Sequence, residues 1–189
     1  MKKNLFSNRY IFLLAIAPIL IFSSCSPTPC CTTFDSTPFT VGITYNKPTY
    51  NPRSLVFQTC SLDVTIENLV IGGINYFNFG KIETATATFG TDHILNTNNV
   101  TFLFKNTGTP ITDVTFEYLD MGGTENLSVN GVLHSGELKA APATLGGVNV
   151  TVNEVPITGG KKGTVKLNGS IQNFSIGGQE FFLDNICRK

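Results

Sequence analysis

Charge is scarce in this chain, and so is any helical pattern. Only 14% of its 189 residues are Asp, Glu, Lys or Arg. Long surface helices want Glu, Lys, Ala and Arg, so this composition argues against them; the plentiful Gly, Thr, Asn and aromatic residues suit strands and turns. No window outside the N-terminus sustains apolar residues at i, i+3, i+4 and i+7. Histidine is limited to His93 and His134, both in polar, turn-like surroundings, and no Gly-x-Ser-x-Gly occurs. No cysteines stand at C-x-x-C spacing, which disfavours a zinc role. The chain shows no internal repeat and no linker to a second domain, and its length suits one domain.

What is present starts with an address. Lys2, Lys3 and Arg9 precede an uncharged apolar run from Tyr10 to Phe22. A basic start followed by about a dozen apolar residues reads as a secretory signal, too short for a comfortable membrane span. Without those three bases, ten basic side chains face thirteen acidic ones. No basic patch remains to hold phosphates, so nucleic acid is not expected as a partner.

The run ends Ile21-Phe22-Ser23-Ser24-Cys25. This resembles the lipobox of bacterial lipoproteins, although Phe22 stands where that family usually has Leu. The resemblance implies a signal peptide over 1–24, lipidation of Cys25, a tether over 25–30 and a domain over 31–189. It implies a lipid anchor in the bacterial cell envelope, periplasmic or surface-facing; no acidic cluster follows Cys25 as a signal for outer display. Ser26-Pro27-Thr28-Pro29 is an extended polar spacer that suits lifting a domain off a bilayer. The alternative is ordinary secretion after cleavage at Ser24, with Cys25 a free thiol or a disulfide partner.

The domain reads as all-β, a single antiparallel sandwich of about ten strands, jelly-roll-like. The organising stretch runs from Asn99 to Gly131. Val100, Phe102 and Phe104 alternate with Thr101 and Lys105, and Val114, Phe116 and Tyr118 alternate with Thr115 and Glu117. Joined through Asn-Thr-Gly-Thr-Pro, the two runs read as a paired antiparallel unit. Further strands are expected near Phe34 and over Phe39–Tyr45, Leu62–Val70, Ile74–Phe79, Lys81–Phe89, Gly147–Val152, Gly163–Ile171, Phe174–Ile176 and Gln179–Ile186. Ala85, Ala87 and Phe89 alternate against Thr84, Thr86 and Thr88, and the small alanines suggest a place where the two sheets approach closely or a bulky neighbour fills the gap.

Cys30, Cys31, Cys60 and Cys187 suggest two disulfides in an exported chain. First and last strands commonly pair in a jelly roll, which favours Cys31–Cys187 with Cys30–Cys60; Cys60–Cys187 with one thiol unpaired is the alternative.

Two stretches can carry chemistry. In Asp120-Met121-Gly122-Gly123-Thr124-Glu125-Asn126, continuing to Asn130-Gly131, the residues Asp120, Glu125, Asn126 and Asn130 can place oxygens and amides on one rim, which suits sugar hydroxyls or a hard cation such as calcium. The plainer reading is a turn whose Asp and Asn satisfy their own backbone, with Asn130-Gly131 a type I′ hairpin signature. The second stretch is Ile176-Gly177-Gly178-Gln179-Glu180-Phe181-Phe182-Leu183-Asp184-Asn185-Ile186-Cys187. Together the two stretches resemble a family of uncharacterised secreted bacterial β-sandwich proteins. Phe-x-Leu-Asp-Asn-Ile is also similar to the closing strand of galactose-binding-like, carbohydrate-binding jelly rolls. That second resemblance implies a possible structural calcium shared by Asp35 and Asp184. Catalysis lacks support, because a glycosidase needs two opposed carboxylates and only Glu117 and Glu180 suggest themselves. The expectation is a non-catalytic binding module for a glycan or another envelope component, against a structural or assembly lipoprotein without a small ligand.

Overall fold

The computed structural model describes residues 29–46, 49–108 and 110–189. The expected signal, the lipidated Cys25 and most of the tether lie outside them. Two antiparallel sheets enclose one core, so the all-β sandwich holds. The described residues form sixteen strands rather than ten. They include no α-helix, only one turn of 3-10 helix at Leu138–Ala140, and no helix long and apolar enough to cross a membrane.

The strands are β1 (Cys30–Thr32), β2 (Thr44–Asn46), β3 (Leu55–Thr59), β4 (Leu62–Ile71), β5 (Ile74–Tyr76), β6 (Phe79–Thr86), β7 (Phe89–Asn98) and β8 (Val100–Asn106). There follow β9 (Ile111–Asp120), β10 (Glu125–Val129), β11 (Val132–Ser135), β12 (Thr144–Leu145), β13 (Val148–Ile157), β14 (Gly160–Ile171), β15 (Asn173–Gly178) and β16 (Phe181–Arg188). One sheet runs β12-β13-β14-β9-β16-β7-β6-β2, with β1 on β16. The other runs β11-β10-β15-β8-β4-β3, with β5 on β4.

The organising stretch behaves as expected in facing but not in pairing. Val100, Phe102, Phe104, Val114, Phe116 and Tyr118 are all fully buried in the main core. Yet β8 pairs with β4 and β15, and β9 with β14 and β16. The chain crosses between sheets from β8 to β9 instead of turning back on itself. Alternation fixes which face is apolar; it carries no information about the hydrogen-bonding partner. Across the sandwich the rings of Phe104 and Phe116 both stack with Phe174, centroids 4.8 and 6.1 Å apart.

Other expectations need correcting. Phe39–Tyr45 is mostly turn, and only Thr44–Asn46 becomes a strand. Phe34 sits after β1 with φ +61° and is buried as a plug rather than as a strand residue. The Lys81–Phe89 run bends back at Ala87–Thr88, and its ladder shifts register between Thr84 and Thr86. Ala85 and Phe89 therefore pack on the outer face of the nine-stranded sheet, with Ile94, Leu119, Phe182 and Ile157, not between the sheets. The disulfides join Cys31 to Cys187 and Cys30 to Cys60. Cys31 and Cys187 stand opposite each other in the β1–β16 register, so the first and last strands are bonded where they already pair.

Candidate functional site

The expected rim does not form as one surface, because β10 sends its side chains to two faces. Glu125, Leu127 and Val129 alternate toward the core, while Asn126 faces the other way, and both Glu125 and Asn126 are buried. Asn130 lies at the far end of β10, about 17 Å from Glu125 at strand rise. Its side chain is spent on backbone: Nδ2 donates to the carbonyls of Gly146 and Ser170, and Oδ1 accepts from the N–H of Gln172 at 2.9 Å. With φ +49° it is the turn residue of the β10–β11 hairpin.

Asp120 and Glu125 do meet. Asp120 ends the inward series Phe116, Tyr118, Asp120 on β9, and Glu125 begins the inward series on β10. They face each other where the chain crosses between sheets through Gly122 and Gly123. Both glycines have positive φ (+128° and +100°), and the Gly122 N–H donates to Asp120 Oδ1 at 2.7 Å. From β14, the Lys161 ammonium lies 3.7 Å from Asp120 Oδ2 and is ion-paired with Glu137. Burial, then the Asp120 carboxylate beside it, pushes Glu125 up to about 7 while Lys161 pulls it down. Glu125 Oε2 meets no donor among the described residues.

Asp35 and Asp184 also share a neighbourhood. Asp184 faces outward with Phe182 on β16, yet is completely buried, because the β6–β7 hairpin tip folds over it. A Cβ at Gly90 would stand 3.4 Å from Asp184 Oδ2. Asp35 clamps the next residues: Thr91 Oγ1 donates to Oδ2 at 2.7 Å, and the N–H groups of Asp92 and His93 donate to Oδ1 at 3.1 and 2.8 Å. Burial raises the Asp35 carboxyl, but these donors outweigh it and hold the group below its usual range. Burial, with the charges of Asp35 and Glu117 adding, pushes Asp184 up to about 6. The Asn185 N–H donates to Oδ1 at 2.7 Å, whereas Oδ2 meets no donor among the described residues.

Sequence reasoning missed a groove. A concavity of about 720 Å3 opens on the outer face of the nine-stranded sheet. One wall is the β6–β7 tip with Phe89; the other is the β13–β14 hairpin with Asn153, Glu154, Lys162 and Thr164. Glu117 lines it too and stands opposite Thr164 and Asp184 in the flanking registers. Asn185 Nδ2 donates to Glu117 Oε2 at 3.2 Å, and Tyr118 donates to Glu154 Oε2 at 2.7 Å. Lys139 reaches in from the 3-10 turn, its Nζ donating to the Val152 carbonyl at 2.8 Å. The long hairpin was legible at Gly159–Gly160, but nothing local said that the 86–90 tip would stand opposite it.

The two histidines are occupied with backbone. His93 Nδ1 donates to the Phe34 carbonyl and His134 Nε2 to that of Glu137, each at 3.0 Å. Glu180 sits at the turn before β16, four residues from Glu117's register partner Asp184, or about 13 Å at strand rise. No protein-family model matches the chain, and neither the curated proteins nor the solved structures contain a match to it.

Proposed function

We propose that this chain is a lipid-anchored β-sandwich lipoprotein of the cell envelope, acting as a non-catalytic binding module for a glycan or similarly hydroxylated envelope component. The outer-face groove carries the reading. Residues with carboxylates (Glu117, Glu154), an amide (Asn153), a hydroxyl (Thr164) and ammonium groups (Lys139, Lys162) line one open concavity together with Phe89; Lys162 Nζ donates to the Thr88 carbonyl across it. Convergent donors and acceptors beside an aromatic are the chemistry that sugar hydroxyls and ring faces select. The strand order supports a jelly roll: β7-β16-β9-β14 faces β8-β15-β10-β11, so successive crossings place first beside last and second beside next-to-last. The anchor rests on the lipobox resemblance at Cys25 and is checked by mass spectrometry of the membrane-extracted protein, where Cys25→Ser abolishes the acyl mass.

A second reading, a protein-assembly role, draws on exposed apolar residues of the seven-stranded sheet, Leu55 on edge strand β3 and Val132 and Leu133 on edge strand β11. The deciding experiment is a glycan array probed with the chain from Pro29 onward, which keeps both disulfides and all sixteen strands. Binding that Glu117→Gln and Asn153→Ala each weaken at least tenfold supports the groove. A folded domain that binds nothing on the array sinks the glycan reading and sends the search to protein partners.

A further inference from the structure

We propose that Asp120, Glu125 and Glu137 form a divalent-cation site of the calcium class, with the Lys161 ammonium as its built-in competitor. This is independent of the groove and of any glycan.

Carboxylate oxygens of the three residues lie within 4.8 Å of one another. Calcium binds oxygen at roughly 2.3–2.6 Å, so two ligands on one ion stand up to about 5 Å apart, and a single ion spans this set. The donors are all hard oxygens, with no thiol or imidazole among them, which suits calcium over zinc.

An acidic cluster alone is common. Two further observations point to a cation here. Glu125 is 1% exposed, its carboxylate belongs to the cluster, and its Oε2 meets no donor among the described residues. A buried carboxylate oxygen of that kind asks for a proton or a cation. The position is also already cation-complementary, because Lys161 reaches Asp120 and Glu137 there. One ammonium against three carboxyl groups leaves surplus negative charge, and the Lys161 side chain, 31% exposed on a flexible stem, can swing toward solvent. Asp120 and Glu125 are held by the ends of β9 and β10. Glu137 sits at the surface, with 55% of its side chain exposed, and supplies the mouth.

An ion in the site meets the Glu125 carboxyl directly. The charged and titratable groups around that carboxyl are Asp120 on β9, Glu137 before the 3-10 turn and Lys161 on β14; Tyr118, bonded to Glu154 on β13, also feels its charge. Tyr118 offers a readout as well: the chain has no tryptophan, so terbium in the site draws its luminescence from tyrosine.

The test titrates the chelator-stripped full chain with calcium by calorimetry and with terbium by luminescence, alongside the variants Glu125→Gln, Glu137→Gln and Lys161→Gln. The expected result is one saturable site, weakened at least tenfold by E125Q and about threefold or more by E137Q, and tightened at least tenfold by K161Q. E137Q, at an exposed position, keeps the test valid if the buried variant misfolds. No saturable binding in either wild type or K161Q, with folded protein shown by circular dichroism, overturns the site. Binding indifferent to both E125Q and E137Q overturns it equally, by placing the ion elsewhere.

Discussion

The molecule buries carboxylates in two places and treats them differently. Beside the β6–β7 tip, Asp35 collects three donors from Thr91, Asp92 and His93 and stays ionised, while its neighbour Asp184 holds one N–H and leaves one oxygen bare. At the β9–β10 crossing, Asp120 and Glu125 face each other and are answered chiefly by a single ammonium from another strand. Backbone donors are fixed when the strands form; a lysine on a flexible stem is not. The first arrangement ties chain segments together, and the second leaves a charge deficit that a solute can fill.

The largest expected effect is at the crossing. Glu125 has a folded-state pKa near 7 against an ordinary 4.5, so the folded chain keeps a proton that the unfolded chain gives up. Stability therefore falls as pH rises from about 4.5 through about 7, by about 3 kcal/mol from this group. Glu125→Gln, whose amide still donates to Asp120, flattens that part of the curve; denaturant melts across pH check it, and an unchanged slope refutes the assignment. Asp184 follows the same sign in a lower window, from 3.8 through about 6, and costs roughly 2–3 kcal/mol at pH 8. Asp184→Asn accordingly gains stability at pH 8 relative to pH 4, as thermal melts at both pH values will show.

Asp35→Ala breaks the well-answered side. Three donors lose their acceptor in a half-buried segment, a loss of about 1–2 kcal/mol at pH 5. The loss shrinks at pH 8, because Asp184 is relieved of a like charge; a loss that grew with pH would contradict the coupling of the two. Smallest is Tyr118→Phe, which removes only the hydrogen bond to Glu154 while its ring stays stacked on Phe181; about 1 kcal/mol is expected from urea midpoints.

Much of this was legible before any coordinates, and the limits follow from residue chemistry. Val114, Phe116 and Tyr118 announced a buried face, and Asn130-Gly131 its hairpin, because both are consequences of local backbone geometry. Asp120 and Glu125 were singled out with Asn126 and Asn130 on one rim; the inward facing of the first two was not foreseen. Their inward facing follows from continuing two alternations through them, Phe116–Tyr118–Asp120 and Glu125–Leu127–Val129, a signal present in the sequence and obscured by the polarity of the residues themselves. Lys161, some forty positions on, carried no such signal; it reaches Asp120 because β14 pairs with β9.

The sequence alone determined the class of structure: scarce charge, period-two alternation and glycine punctuation permit strands with one apolar face and little else. It also determined where backbone turns, since asparagine and glycine accept positive φ at a cost other residues do not match. The tertiary structure decided pairing, and with it every site. Hydrogen bonding between strands is blind to side-chain identity, so only the packing of two whole sheets could select β8 beside β15, set the 86–90 tip opposite the β13–β14 hairpin, and bring Glu137 and Lys161 to the carboxylates of β9 and β10.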